Sequence, residues 1–107
     1  MPFDAKLQIE GGVATIRLSG ELDAASAPQF NNLISDTAKH DLDRVVLLAG
    51  ALSYLSSAGL RSLVFAHQKL PGKTEIVLVG AQPDVAETIR LTGFDRSITM
   101  EESGDLR

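Results

Sequence analysis

Side chains able to do covalent or acid–base chemistry are few in this chain, and the most suggestive of them gather in one segment. Residues 52–61 read Leu52-Ser53-Tyr54-Leu55-Ser56-Ser57-Ala58-Gly59-Leu60-Arg61. Two adjacent serines there open a helical pattern, where a serine oxygen can accept a hydrogen bond from an unpaired N–H of the first turn. A serine so placed can be a cap, a nucleophile or an acceptor of a phosphoryl group. Gly59 in that turn lowers helix propensity by about 1 kcal/mol relative to alanine. Glycine suits a place where something approaches the backbone closely.

The nucleophile reading fails on its partners. The elbow of a serine hydrolase needs glycine two residues before the serine, and Leu55 occupies that position. The histidine that follows Ser57 is His67, about three turns along the same expected helix and out of reach as a general base. No glycine-rich phosphate loop of the dinucleotide or Walker type occurs. A phosphoacceptor receiver domain would want an acid at the end of the central strand, where Leu48 and Ala49 stand. The chain is therefore not expected to be an enzyme. His40 lies in a polar stretch near a helix end and His67 on an apolar stripe, read as a core position. Neither has companions at metal-ligand spacing, so no metal and no cofactor are expected. Cysteine is absent, which leaves no disulfide framework and no thiol nucleophile and fits a reducing compartment.

The elements that must hold this segment follow from periodicity. Phe3, Ala5, Leu7 and Ile9 alternate with polar residues, then Gly11-Gly12, then Ala14, Ile16 and Leu18 alternate again. This predicts an antiparallel hairpin. Ser26 and Gln29 form a capping-box pattern, Pro28 sits harmlessly in the first turn, and Phe30, Leu33, Ile34 and Ala38 make an apolar helix stripe. The runs 45–49 and 76–79 are continuously apolar, as in parallel strands covered by helices. Between them Leu60, Leu63, Val64, His67 and Leu70 form a second stripe that ends at Pro71-Gly72. Arg61 and Phe65 fall off it. Pro83 starts a third helix carrying Val85 and Ile89, and Gly93 fits its left-handed stop, with Phe94 placed to pack back on Ile89. Residues 97–100 suit one more short strand.

The expected fold is α/β: a mixed four- to five-stranded sheet, an N-terminal antiparallel hairpin followed by parallel strands, with helices packed on it. A length of 107 residues allows one domain, assigned to residues 1–100, with a polar tail over 101–107. The net charge of −4 gives no global attraction to nucleic acid or anionic lipid. No apolar run is long enough to span a bilayer, and the opening residues carry no signal-peptide pattern. A cytoplasmic monomer or weak dimer is expected, with no membrane insertion.

The segment Tyr54-Leu55-Ser56-Ser57-Ala58-Gly59-Leu60 resembles the signature of STAS domains, in particular the bacterial anti-sigma factor antagonists. Gly20-Glu21-Leu22-Asp23 resembles the family's second recurrent patch, before the first helix. The element order is similar over nearly the whole chain. The resemblance implies a partner switch: the antagonist binds an anti-sigma factor that is also a serine kinase, phosphorylation of a motif serine dissociates the complex, and a serine phosphatase resets it. The position matching that serine is Ser57, with Ser56 as rival. Asp23 matches an acidic position used in partner recognition, and the docking surface implied comprises Asp23, Ser56, Ser57, Gly59, Leu60 and Arg61. Ser56 stands where well-known members have aspartate, Ala58 where they have a second serine, and Leu48 where an aspartate often ends the central strand. Another STAS role would be an unphosphorylated accessory subunit of a lipid-transport ABC system or a scaffold component of a signalling complex.

Overall fold

The structure is a computed structural model and describes residues 2–102. The alternating N-terminal segment forms β1 (Asp4–Glu10) and β2 (Val13–Leu22), antiparallel and in register from Asp4 opposite Ser19 to Glu10 opposite Val13. Gly11 and Gly12 turn between them with φ of 58° and 80°, values that a two-residue type I′ turn requires and glycine adopts freely. There follow α1 (Ala27–Thr37), β3 (Arg44–Leu55), α2 (Ser57–Lys69), β4 (Glu75–Val79), α3 (Pro83–Thr92), a 3₁₀ turn at Phe94–Arg96 and β5 (Thr99–Glu101). The five strands lie side by side in chain order, with β2 to β5 mutually parallel. This is the expected mixed sheet at its higher strand count. β5 carries it to Glu101, past the boundary drawn at residue 100. Met1 and most of the expected tail lie outside the described residues.

Right-handed crossovers that advance in one direction put their helices on one face of a sheet. The packing agrees. Phe30 and Ile34 of α1, Leu60 and Leu63 of α2, and Val85 and Ile89 of α3 join one cluster with Ile16, Leu18, Val45, Leu47, Ile76 and Leu78. Phe3 meets Phe30 edge-on, with ring centroids 6.4 Å apart. The apolar runs are thus met by helices on one face. On the other, Val77 and Val79 are buried while Val46 and Leu48 stay partly exposed.

β3 is longer than its apolar run. It continues to Leu55 through two register shifts against β2: Arg17 and Ser19 face Leu48 and Ala51, and Gly20 and Glu21 face Leu52 and Tyr54. Each shift inserts an extra residue, a bulge. Together they keep Ala49, Leu52 and Leu55 buried under the helices. Leu48 therefore lies mid-strand, and the expectation that the central strand ends at 48–49 is corrected.

One further expectation changes. His67 is exposed, because the buried face of α2 runs through Leu60, Leu63 and Ala66, one residue away from it. Gly93 does take the left-handed conformation, with φ of 81°. Phe94 enters the 3₁₀ turn, packs against the core cluster that includes Ile89, and meets the edge of His67 with ring centroids 6.0 Å apart. At the far end of the sheet, Thr74 Oγ1 donates to the Leu42 carbonyl at 2.8 Å. Lys73 pairs with Asp41 beside it. The hydrogen bond from Lys73, and then its charge, hold the Asp41 carboxyl below the usual range. That contribution is present above the ordinary carboxylate pKa and lost as pH falls through the lowered one.

Candidate partner-docking site

The end of β2 positions the site. The Leu22 carbonyl accepts the Ser56 N–H at 3.1 Å. Gly59 packs so closely on the same group that a Cβ at 59 would lie 2.1 Å from the Leu22 oxygen. The start of α2 is thereby pinned to the end of β2, and the turn beginning at Asp23 lies beside it.

That turn is built by Asp23 and Ser26, in a manner the capping-box pattern did not anticipate. Ser26 makes no side-chain cap to α1. Its Oγ instead donates to the Glu21 carbonyl at 2.8 Å and accepts the Asp23 N–H at 2.9 Å. Asp23 Oδ1 accepts the N–H groups of Ala25 and Ser26 at 3.0 and 3.2 Å. This is an Asx-type turn, in which a short carboxylate satisfies backbone donors two and three residues on. Ala24 and Ala25 stand exposed at its tip.

The two serines divide their duties. Ser56 is the N-cap of α2, and its Oγ accepts the Gly59 N–H at 3.1 Å. Ser57 is the first helical residue and is exposed. No hydrogen bond of its side chain occurs among the described residues. The capping role open to Ser57 in the sequence belongs to Ser56. Ser56→Ala is therefore expected to cost about 0.5–2 kcal/mol, and Ser57→Ala no more than about 0.5 kcal/mol. Urea melts of both variants check this, and equal losses would contradict the assignment.

Of the other residues expected on the surface, Arg61 is exposed one helical turn after Ser57, on the same side. Gly59 and Leu60 are buried. What approaches Gly59 closely is the Leu22 carbonyl of its own chain, so these two residues shape the surface from beneath. Sequence reasoning missed Tyr54, which is 51% exposed and faces Glu21 across the sheet. Its signal was available, since an aromatic ring two residues before the serine pair has no place on the helix stripe.

Residues 4–105 match the model of the STAS domain. The chain belongs to the STAS domain family. BtrV of Bordetella bronchiseptica, described as an anti-sigma factor antagonist, is 36% identical over 84 residues, covering 78% of this chain and 72% of that protein. An anti-sigma factor antagonist from Mycobacterium paratuberculosis superposes with a TM-score of 0.86 at 26% identity, over 94% of this chain and 86% of that one. The Bacillus cell fate determinant SpoIIAA in its phosphorylated form shares the STAS fold with a TM-score of 0.69 at 19% identity, over 92% and 90% of the two chains. Within this STAS domain, the described residues include no helix long and apolar enough to cross a membrane.

Proposed function

We propose that this STAS domain is a cytoplasmic anti-sigma factor antagonist working as a partner switch. It binds an anti-sigma factor with serine kinase activity across the Asp23 turn and the exposed start of α2, and phosphorylation of Ser57 releases that partner. A serine phosphatase restores the binding form. The observation that carries this reading is the division between the serines: Ser56 holds the helix, leaving the Ser57 hydroxyl exposed and uncommitted. In the transfer, a bond forms between Ser57 Oγ and the γ-phosphorus of ATP, the bond to the ADP oxygen breaks, and the hydroxyl proton passes to a base on the kinase. Supporting it, BtrV and the Mycobacterium relative are described as anti-sigma factor antagonists. Asp23 serves by holding Ala24 and Ala25 in place, and Arg61 by its charge at the border of the surface.

Mass spectrometry after incubation with the partner kinase and ATP tests this. One phosphate on Ser57, absent from Ser57→Ala, is the expected result. Ser57→Ala should also hold the partner in the presence of ATP. Phosphate on Ser56 alone, or none with a kinase active on another substrate, defeats the assignment and moves weight to an unphosphorylated accessory role.

A further inference from the structure

Beside the start of α2, the end of β3 and the first two turns of α3 enclose a cleft of about 140 Å³, lined by Ser53, Tyr54, Leu55, Asp84, Val85 and Thr88. A water takes about 30 Å³ in the liquid, so the cleft holds the equivalent of about four or five waters. Small-molecule sites begin near about 300 Å³. One long side chain fits; a metabolite does not.

Its walls are specific in kind. Leu55 and Val85 are buried and form an apolar floor. Ser53 Oγ is already bonded to the Gly20 carbonyl at 3.0 Å, and Thr88 Oγ1 to the Asp84 carbonyl at 3.0 Å. The groups left for a ligand are the Tyr54 ring, half in solvent, and the Asp84 carboxylate, which has no hydrogen bond or ion pair among the described residues. Glu21, exposed and the register partner of Tyr54 on β2, lies outside the lining of this cleft, beside the Asp23 turn. No lysine or arginine lines the cleft. An aromatic ring and an unpaired carboxylate, Asp84, over an apolar floor suit an aliphatic stem carrying a cation.

The geometry points to this cleft as a socket for an arginine or lysine side chain of the anti-sigma partner. The inference rests on the docking reading above and extends its surface to α3. Tyr54 lies three residues before Ser57, at most about 10 Å of extended chain, so one partner can cover both.

Two measurements test the socket. Titrating the isotope-labelled chain with N-acetyl-arginine amide should give saturable, millimolar shifts confined to the amides around Tyr54, Leu55, Asp84 and Thr88. These should vanish in Asp84→Asn and Tyr54→Ala but persist in Tyr54→Phe. Shifts spread over every exposed carboxylate, or unchanged in Asp84→Asn, overturn it. With a kinase that binds the wild-type chain, Asp84→Asn should weaken affinity about tenfold at low salt and flatten its salt dependence. Equal binding by Asp84→Asn overturns the socket and leaves the docking reading standing. Arginine amide in the cleft with no anti-sigma factor bound would do the reverse. Thermal melts confirm that all three variants fold.

Discussion

Gly59→Ala is expected to destabilise the domain by about 3–5 kcal/mol, among the largest losses available to a single methyl group. The added Cβ would stand 2.1 Å from the Leu22 oxygen, 2.8 Å from its carbon and 2.9 Å from Leu55 Cδ1. A side chain could swing aside, but the two closest atoms are backbone. That backbone carbonyl also accepts the Ser56 N–H, so moving it breaks a bond as well as relieving a clash. In a domain of this size each kcal/mol lowers Tm by about 4–8 °C, so the melt should fall by on the order of 20 °C. Gly72→Ala is the control, because a Cβ there meets nothing within 4 Å. A Gly59→Ala variant within about 1 kcal/mol of wild type would show that the two elements can part at little cost. The Asp23 turn would then not be tied to the start of α2.

Phosphate on Ser57 should change binding by orders of magnitude and stability hardly at all. A phosphoserine carries about −1.5 to −2 charges, and at the first residue of a helix that charge is favoured by the exposed N–H groups and the helix dipole. The phosphorylated domain should melt at or above the unmodified temperature. Against a packed partner the same group must be desolvated, and an uncompensated buried charge costs about 3–5 kcal/mol. At 1.4 kcal/mol per tenfold, affinity should fall by roughly 10² to 10³. Calorimetric titration and thermal melts of one phosphorylated preparation separate the two effects. A phosphorylated chain that loses its partner and also melts well below the unmodified protein would mean release by unfolding. Ser57→Asp should reproduce the loss only partly, having one charge and planar geometry.

The sheet was legible because its strands obey simple periods. The hairpin alternates, the Gly11-Gly12 turn has a composition that readily tolerates two positive φ values, and 45–49 and 76–79 are apolar throughout. β3 beyond Ala49 was not legible. Its buried residues Ala49, Leu52 and Leu55 recur every third position, a spacing that breaks strand alternation and resembles a helix face. Bulges against β2 produce it, and they depend on a partner strand that local pattern does not show. Within the serine segment the local structural roles were only partly legible. Both serines suit a helix start, and which of them caps depends on where the first helical residue falls, one position either way. Gly59 was rightly taken as a close-approach glycine, but the approaching group comes from Leu22, far away in sequence. Ser26 satisfies the capping-box spacing, yet Asp23 and Glu21 offer its hydroxyl nearer partners. His67 fits the stripe within one residue, and α2 is rotated by that one residue.

The strands of this sheet stand in the order in which they are synthesised, and that has a consequence for how the chain folds. No later strand has to be inserted between two earlier ones. As the chain leaves the ribosome at about 5–20 residues per second, β1 and β2 can pair first. Each following strand then adds to the edge left open by the one before it. An unpaired edge invites association with other chains, and the growing edge opposite β1 is at each stage the one the next segment will cover. Each closure spans a single crossover, which limits the chain entropy lost before the contact forms. The contact between Leu22 and Gly59 joins segments that have both emerged before β4 and β5 exist, so the framework of the proposed docking face is among the first parts of the molecule that can assemble.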